Sequence, residues 1–133
     1  MDSLGKIEFI FYLLVVYQVK HFLADFPLQG QYMLRKTLPG FKFILPLALH
    51  CATHASLSFA IVLFVNPKLW WLAIFDFCVH FTMDRIKSAP SLLGRFNNME
   101  SSSYWNCFGF DQMVHHITHY YIVFQLFVHQ FPT

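Results

Sequence analysis

Asp76, His80 and Asp84 stand four residues apart near the end of an apolar run, and Lys87 follows one turn later. On a helix, residues spaced by four lie one above the other on a single face. This face is therefore a polar stripe on a helix otherwise made of Leu, Trp, Ile, Phe, Cys and Val. The same spacing recurs as His21–Asp25, as His50–His54, and as Asp111–His115–His119. Imidazole and carboxylate groups in such pairs hold protons or divalent metal ions. With no cysteine among them, zinc, manganese or iron suit the donor set.

The elements that carry these pairs are apolar enough to be membrane helices. Of 133 residues, 56% are hydrophobic and only 12% charged, with 17 Phe. A soluble domain usually has about 25% charged residues, and so little polar surface would not cover a globule in water. Apolar segments at about 4–25, 41–65, 69–87 and 108–131 predict an all-α, four-span bundle in one membrane-embedded domain. Asn66-Pro67-Lys68 is a tight connection, whereas Ser88–Asn106, rich in Ser, Asn, Gly and Pro, reads as a long surface loop. The first segment has no small-residue cleavage site after it and reads as a retained helix. Cys51, Cys78 and Cys107 show no metal or disulfide spacing. A net charge of +2 gives no basis for nucleic-acid binding.

Charge sets the orientation. Arg35, Lys36 and Lys42 lie in the first connection, and Arg85, Lys87 and Arg95 in or beside the third, against Lys6 and Lys68 on the other side. The positive-inside rule then places the first and third connections in the cytoplasm and both termini outside. On that topology all four polar pairs fall at the cytoplasmic ends of their helices. Ionisable groups within membrane helices are costly unless they face one another. Convergence therefore predicts a His/Asp cage in the bundle core. It offers nine candidate ligands: His21, Asp25, His50, His54, His80, Asp84, Asp111, His115 and His119. A tetrahedral zinc takes four, so either two ions are held or some of these groups orient others from behind. Asp76 lies deeper, and a supporting role suits it at least as well as ligation. Gln29 and Gln112 flank the cage as helix-end groups or substrate donors, while His116 and His129 fall off the stripes.

His21-Phe22-Leu23-Ala24-Asp25-Phe26-Pro27-Leu28-Gln29, then His50-x-x-x-His54, Asp76-x-x-x-His80-x-x-x-Asp84-x-x-Lys87 and Phe110-Asp111-Gln112-x-x-His115 form a joint motif set spanning nearly the whole chain. This set resembles a family of small uncharacterised membrane proteins of bacteria and their phages. It is similar, more distantly, to bacterial inner-membrane proteins classed as metal-dependent hydrolases. The resemblance implies an inner-membrane location and leaves two functions open. One is hydrolysis of a phosphoester at the cytoplasmic interface, on a lipid, lipid-linked or nucleotide substrate. Metal, most simply one or two zinc ions, would then be held by His21, Asp25, His50, His54, His80, Asp84, Asp111 and His115. A ligand-free Asp or His would serve as base, with His119 a candidate, and Lys87 with Arg35 or Lys36 would engage phosphate oxygens. The other is a non-enzymatic membrane interaction protein, such as one that excludes a second phage, in which a metal or a hydrogen-bond network only stabilises the bundle. Self-association is compatible with either. Ion transport fits poorly, because Leu57–Val65 and Leu69–Phe75 offer little hydrophilic path.

Overall fold

Helix-forming apolar runs broken by Pro, Gly and Asn become four helices in the computed structural model, which describes residues 3–131. They are α1 (Ser3–Asp25), α2 (Ile44–Val65), α3 (Trp71–Ser88) and α4 (Ser102–Gln130). No strand occurs among the described residues. Met1, Asp2, Pro132 and Thr133, at the ends of the outer segments, lie outside the described residues.

Local chemistry explains the boundaries. Pro27 follows the end of α1, and Pro46 sits in the first turn of α2, where no intrahelical partner awaits its missing N–H. The Asn66 side chain accepts from the Lys68 N–H at 3.2 Å and starts a 3-10 turn, Pro67–Leu69, which closes the α2–α3 connection. Helix α4 starts at Ser102, well before the expected Phe108. The cause is a serine cap: Ser101 Oγ accepts from the Tyr104 N–H at 3.3 Å. The Ser-rich run expected as loop thus supplies the start of a helix.

Helices α1 and α2, of 23 and 22 residues and mean hydropathy 1.5 and 1.7, are long and apolar enough to cross a membrane. At about 1.5 Å per residue each exceeds the ~30 Å hydrocarbon layer. Only 28% of each apolar window is buried within the bundle. Phe11, Tyr12, Val19 and Phe22 on α1, and Phe59, Leu63 and Phe64 on α2, point outward. The polar stripes of α3 and α4 lower their average hydropathy, and neither meets the same measure among the described residues.

The interior divides into two layers. Leu13, Tyr17, Val62, Leu69, Leu72, Ile122, Val123 and Leu126 form one apolar cluster. It joins α1 up to Tyr17 and the start of α3 to the C-terminal halves of α2 and α4, so successive helices run antiparallel. The other layer holds the buried polar side chains Lys20, His21, His50, His54, Asp76, His80, Asp84, Asp111, His115 and His119, alongside buried Ala24, Leu47, Cys51 and Met83. The two long connections close over this layer. Arg85 fixes the first: its guanidinium lies 3.5 Å from the Phe43 ring centroid and donates to the Leu38 carbonyl at 3.3 Å. Ser88 Oγ adds a bond to the Lys36 carbonyl at 3.2 Å. The third connection folds back on the end of α3 at Gly94, where any Cβ would meet the Ser88 carbonyl oxygen at 2.5 Å.

Candidate metal centre

All nine candidate ligands from the four stripes meet in the polar layer. They fall into three groups, within each of which one ligand atom per residue lies within 4.8 Å of the others: Asp25–His50–His54, Asp84–Asp111–His115 and His21–His80–His119. Each group could hold a metal ion.

The first two groups are joined through Asp84. His50 Nε2 lies 3.4 Å from Asp25 Oδ1 and 3.2 Å from Asp84 Oδ2. His54 Nε2 lies 2.9 Å from the same Asp25 oxygen. His115 Nε2 lies 3.0 Å from Asp84 Oδ1 and 3.1 Å from Asp111 Oδ1. A neutral imidazole nitrogen carries at most one proton to donate, yet His50 and His115 each turn one nitrogen toward two carboxylates. The site thus has more acceptors than protons. A cation among these atoms would satisfy all of them. With metal–ligand bonds of about 2.0–2.2 Å, the edges of a tetrahedral site are roughly 3.3–3.6 Å; the His50–Asp25 separation of 3.4 Å falls in that range, and the other four, at 2.9–3.2 Å, would open by a few tenths of an ångström around an ion.

Charge is matched unevenly. Lys20 pairs with Asp76 at 2.7 Å, Lys36 with Asp84 at 2.9 Å and Lys87 with Asp111 at 2.7 Å. Asp25 faces only histidines, with His21 Nε2 at 3.0 Å in addition to His50 and His54, and has no lysine or arginine partner among the described residues. Gln112 bridges the groups, its Nε2 donating to Asp111 at 3.2 Å while its Oε1 lies 3.1 Å from His21 Nε2. Gln29 instead donates to the Asp25 carbonyl at 3.0 Å and closes the end of α1.

A cavity of about 760 Å³ opens beside the second group. Asp84, Lys36 and Lys87 line its polar end, and Leu34, Leu93, Phe96, Met99 and Phe108 line the rest. Arg35 is exposed and lies 5.7 Å from the Tyr32 ring centroid, so of the two cations expected in the first connection Lys36 is the one at the cavity.

Residues 10–132 match the family described as Protein of unknown function (DUF3307). The chain belongs to this family. No curated protein and no solved structure matches it. In this DUF3307 chain the inner group is built differently from the outer two. His80 Nδ1 lies 3.0 Å from Asp76 Oδ1, and its Nε2 is buried without a hydrogen-bond partner among the described residues. The His80 ring lies between those of His54 and His115, 4.1 Å from each. Ser58 Oγ donates to Asp76 Oδ2. Asp76 thus supports His80 from behind and is fully buried. His119 also lies in this inner layer, with Nε2 3.3 Å from the Lys20 ammonium. His116 is half-buried, with its ring 5.3 Å from that of His21, and His129 is exposed.

Lys20 is the residue that sequence reasoning missed. It is 3% exposed, and its ammonium also lies 3.3 Å from His54 Nδ1. Nothing four residues away marks it: its carboxylate partner is on α3. The available signal was composition, since Lys20 precedes His21 inside an apolar helix where a cation needs a partner.

Proposed function

We propose that this DUF3307 chain is an integral membrane, metal-dependent phosphoesterase whose site opens toward the cytoplasmic interface. The observation that carries the reading is the shared Asp84: it joins two acceptor-rich His/Asp groups and lines a cavity with two lysines. Asp25, His50 and His54 would hold one ion, Asp84, Asp111 and His115 a second, with Asp84 between them. Zinc suits the donors, as do manganese and iron. Divalent ions there would act as Lewis acids on a phosphoryl oxygen.

The protein's own groups supply binding and orientation. Lys36 and Lys87 donate to phosphate oxygens, and the apolar cavity wall receives the esterified group. Gln112 holds Asp111 and His21 in register. His119, whose Nε2 is engaged by Lys20, positions that lysine rather than acting as the base. All four helices are proposed to cross the bilayer. Exposed Trp70, Trp71 and Ile74 on the α3 side, and Met113, Ile117, Tyr120 and Phe124 on α4, support this, because the stripe residues Asp76, His80 and Asp84 of α3 and Asp111, His115 and His119 of α4 are buried. The first and third connections, rich in Lys and Arg, would face the cytoplasm of a bacterial inner membrane.

A second reading keeps the cage but not the reaction. Lys36 and Lys87 already neutralise Asp84 and Asp111, as a purely stabilising network in a membrane interaction protein would require. Kinetics separate the two. Lys36→Ala and Lys87→Ala should each raise KM for phosphatidic acid in nanodiscs, or for p-nitrophenyl phosphate, by about 10-fold or more. That is the scale of one charge-assisted hydrogen bond of ~1.5–3 kcal/mol. Metal content should not fall. Absence of turnover of either probe by metal-loaded wild type would leave the second reading in its place.

A further inference from the structure

The inner layer holds a set of three imidazoles, His21, His80 and His119, with the Asp76 carboxylate beside them. Three histidines and a carboxylate are a donor set that zinc accepts. Yet a cation already stands there. The Lys20 side chain is 2% exposed, and its Nζ has three neighbours: Asp76 Oδ2 at 2.7 Å, His54 Nδ1 at 3.3 Å and His119 Nε2 at 3.3 Å. An ammonium has three N–H donors and no acceptor, so these three partners use it fully. An ion bonded to His119 Nε2 at about 2.0–2.1 Å would have to enter the gap between that nitrogen and Nζ. That gap, 3.3 Å between the two nitrogens, has no room for it. Meanwhile His80 Nε2 remains buried and without a partner among the described residues, as does Nδ1 of both His21 and His119.

We propose that His21, His80 and His119 form a third, latent metal site, and that Lys20 is the resident cation that keeps it closed. The ammonium does there what an ion would do: it balances Asp76 and fixes two imidazoles. Metal is thereby kept out of the inner layer. The inference concerns the same cage as the proposed function but does not require the outer groups to bind metal.

The test is metal content of the full chain in detergent, saturated with zinc chloride, desalted and measured by mass spectrometry. Lys20→Met removes the cation and keeps the length of the side chain. Lys20→Met/Asp76→Asn removes both charges, so that a folded variant remains if an unpaired Asp76 prevents folding. Each should hold one equivalent more zinc than wild type, whereas Lys20→Arg should match wild type. Adding His80→Ala to either should abolish the gain. No gain in a folded variant, or a gain that survives His80→Ala, overturns the proposal. The two readings fail separately. Wild type with no zinc but a gain on Lys20→Met refutes the outer sites alone; loaded wild type with no gain refutes the latent site alone.

Discussion

Asp84→Ala is expected to strip both outer groups of metal, whereas Asp25→Ala and Asp111→Ala each remove one equivalent. The asymmetry follows from geometry. Asp84 offers one oxygen toward His50 at 3.2 Å and the other toward His115 at 3.0 Å. Asp25 and Asp111 each serve a single group. Loss of a residue that merely orients a ligand typically costs 10–100-fold in affinity, so loss of a shared ligand should exceed about 100-fold for both ions. Competition with a chelator of known affinity, followed by metal analysis of the retained protein, reads this directly. Wild-type metal content in folded Asp84→Ala protein would show that Asp84 is not shared, and would return it to the role of Lys36 partner.

Lys20→Met is expected to cost about 3–5 kcal/mol of stability in the presence of chelator, the usual penalty for leaving a buried charge without its partner. Lys20 and Asp76 are 2% and 0% exposed at their side chains, so neither can recover water. Lys20→Met/Asp76→Asn should regain most of the loss, because it removes both charges and keeps similar volumes. Unfolding of detergent-solubilised protein by heat and by denaturant measures the difference. If Lys20 instead reached the interface along its own stem, as lysines near helix ends do, the single substitution would change stability by less than about 0.5 kcal/mol and the double would add nothing.

The elements that were legible from sequence were those written locally. The His21–Asp25, His50–His54 and Asp111–His115 spacings each declare a face within one helix, and the apolar runs around them bound α1 to α3 within a few residues. Partnership across helices was not legible. Asp25 meets His54, and Asp84 meets His115, through packing that no local period encodes. Lys20 was hidden for the same reason, its carboxylate lying 56 residues away. Arg35 and Lys36 are adjacent cations of equal standing in the sequence. Only the anchoring of their connection by Arg85 and Ser88 turns Lys36 onto Asp84. The start of α4 was misread because a capping serine in a Ser-rich run looks like any other loop serine.

Metal content of the purified wild-type chain beside His54→Ala/Asp84→Ala decides whether the outer cage binds metal. About two equivalents of a divalent transition metal are expected in wild type and none in the outer groups of the double variant. No metal in wild-type protein, even after reconstitution with zinc, manganese and iron in turn, would contradict that expectation. The converging histidines and carboxylates would then be a hydrogen-bond network that holds four helices together.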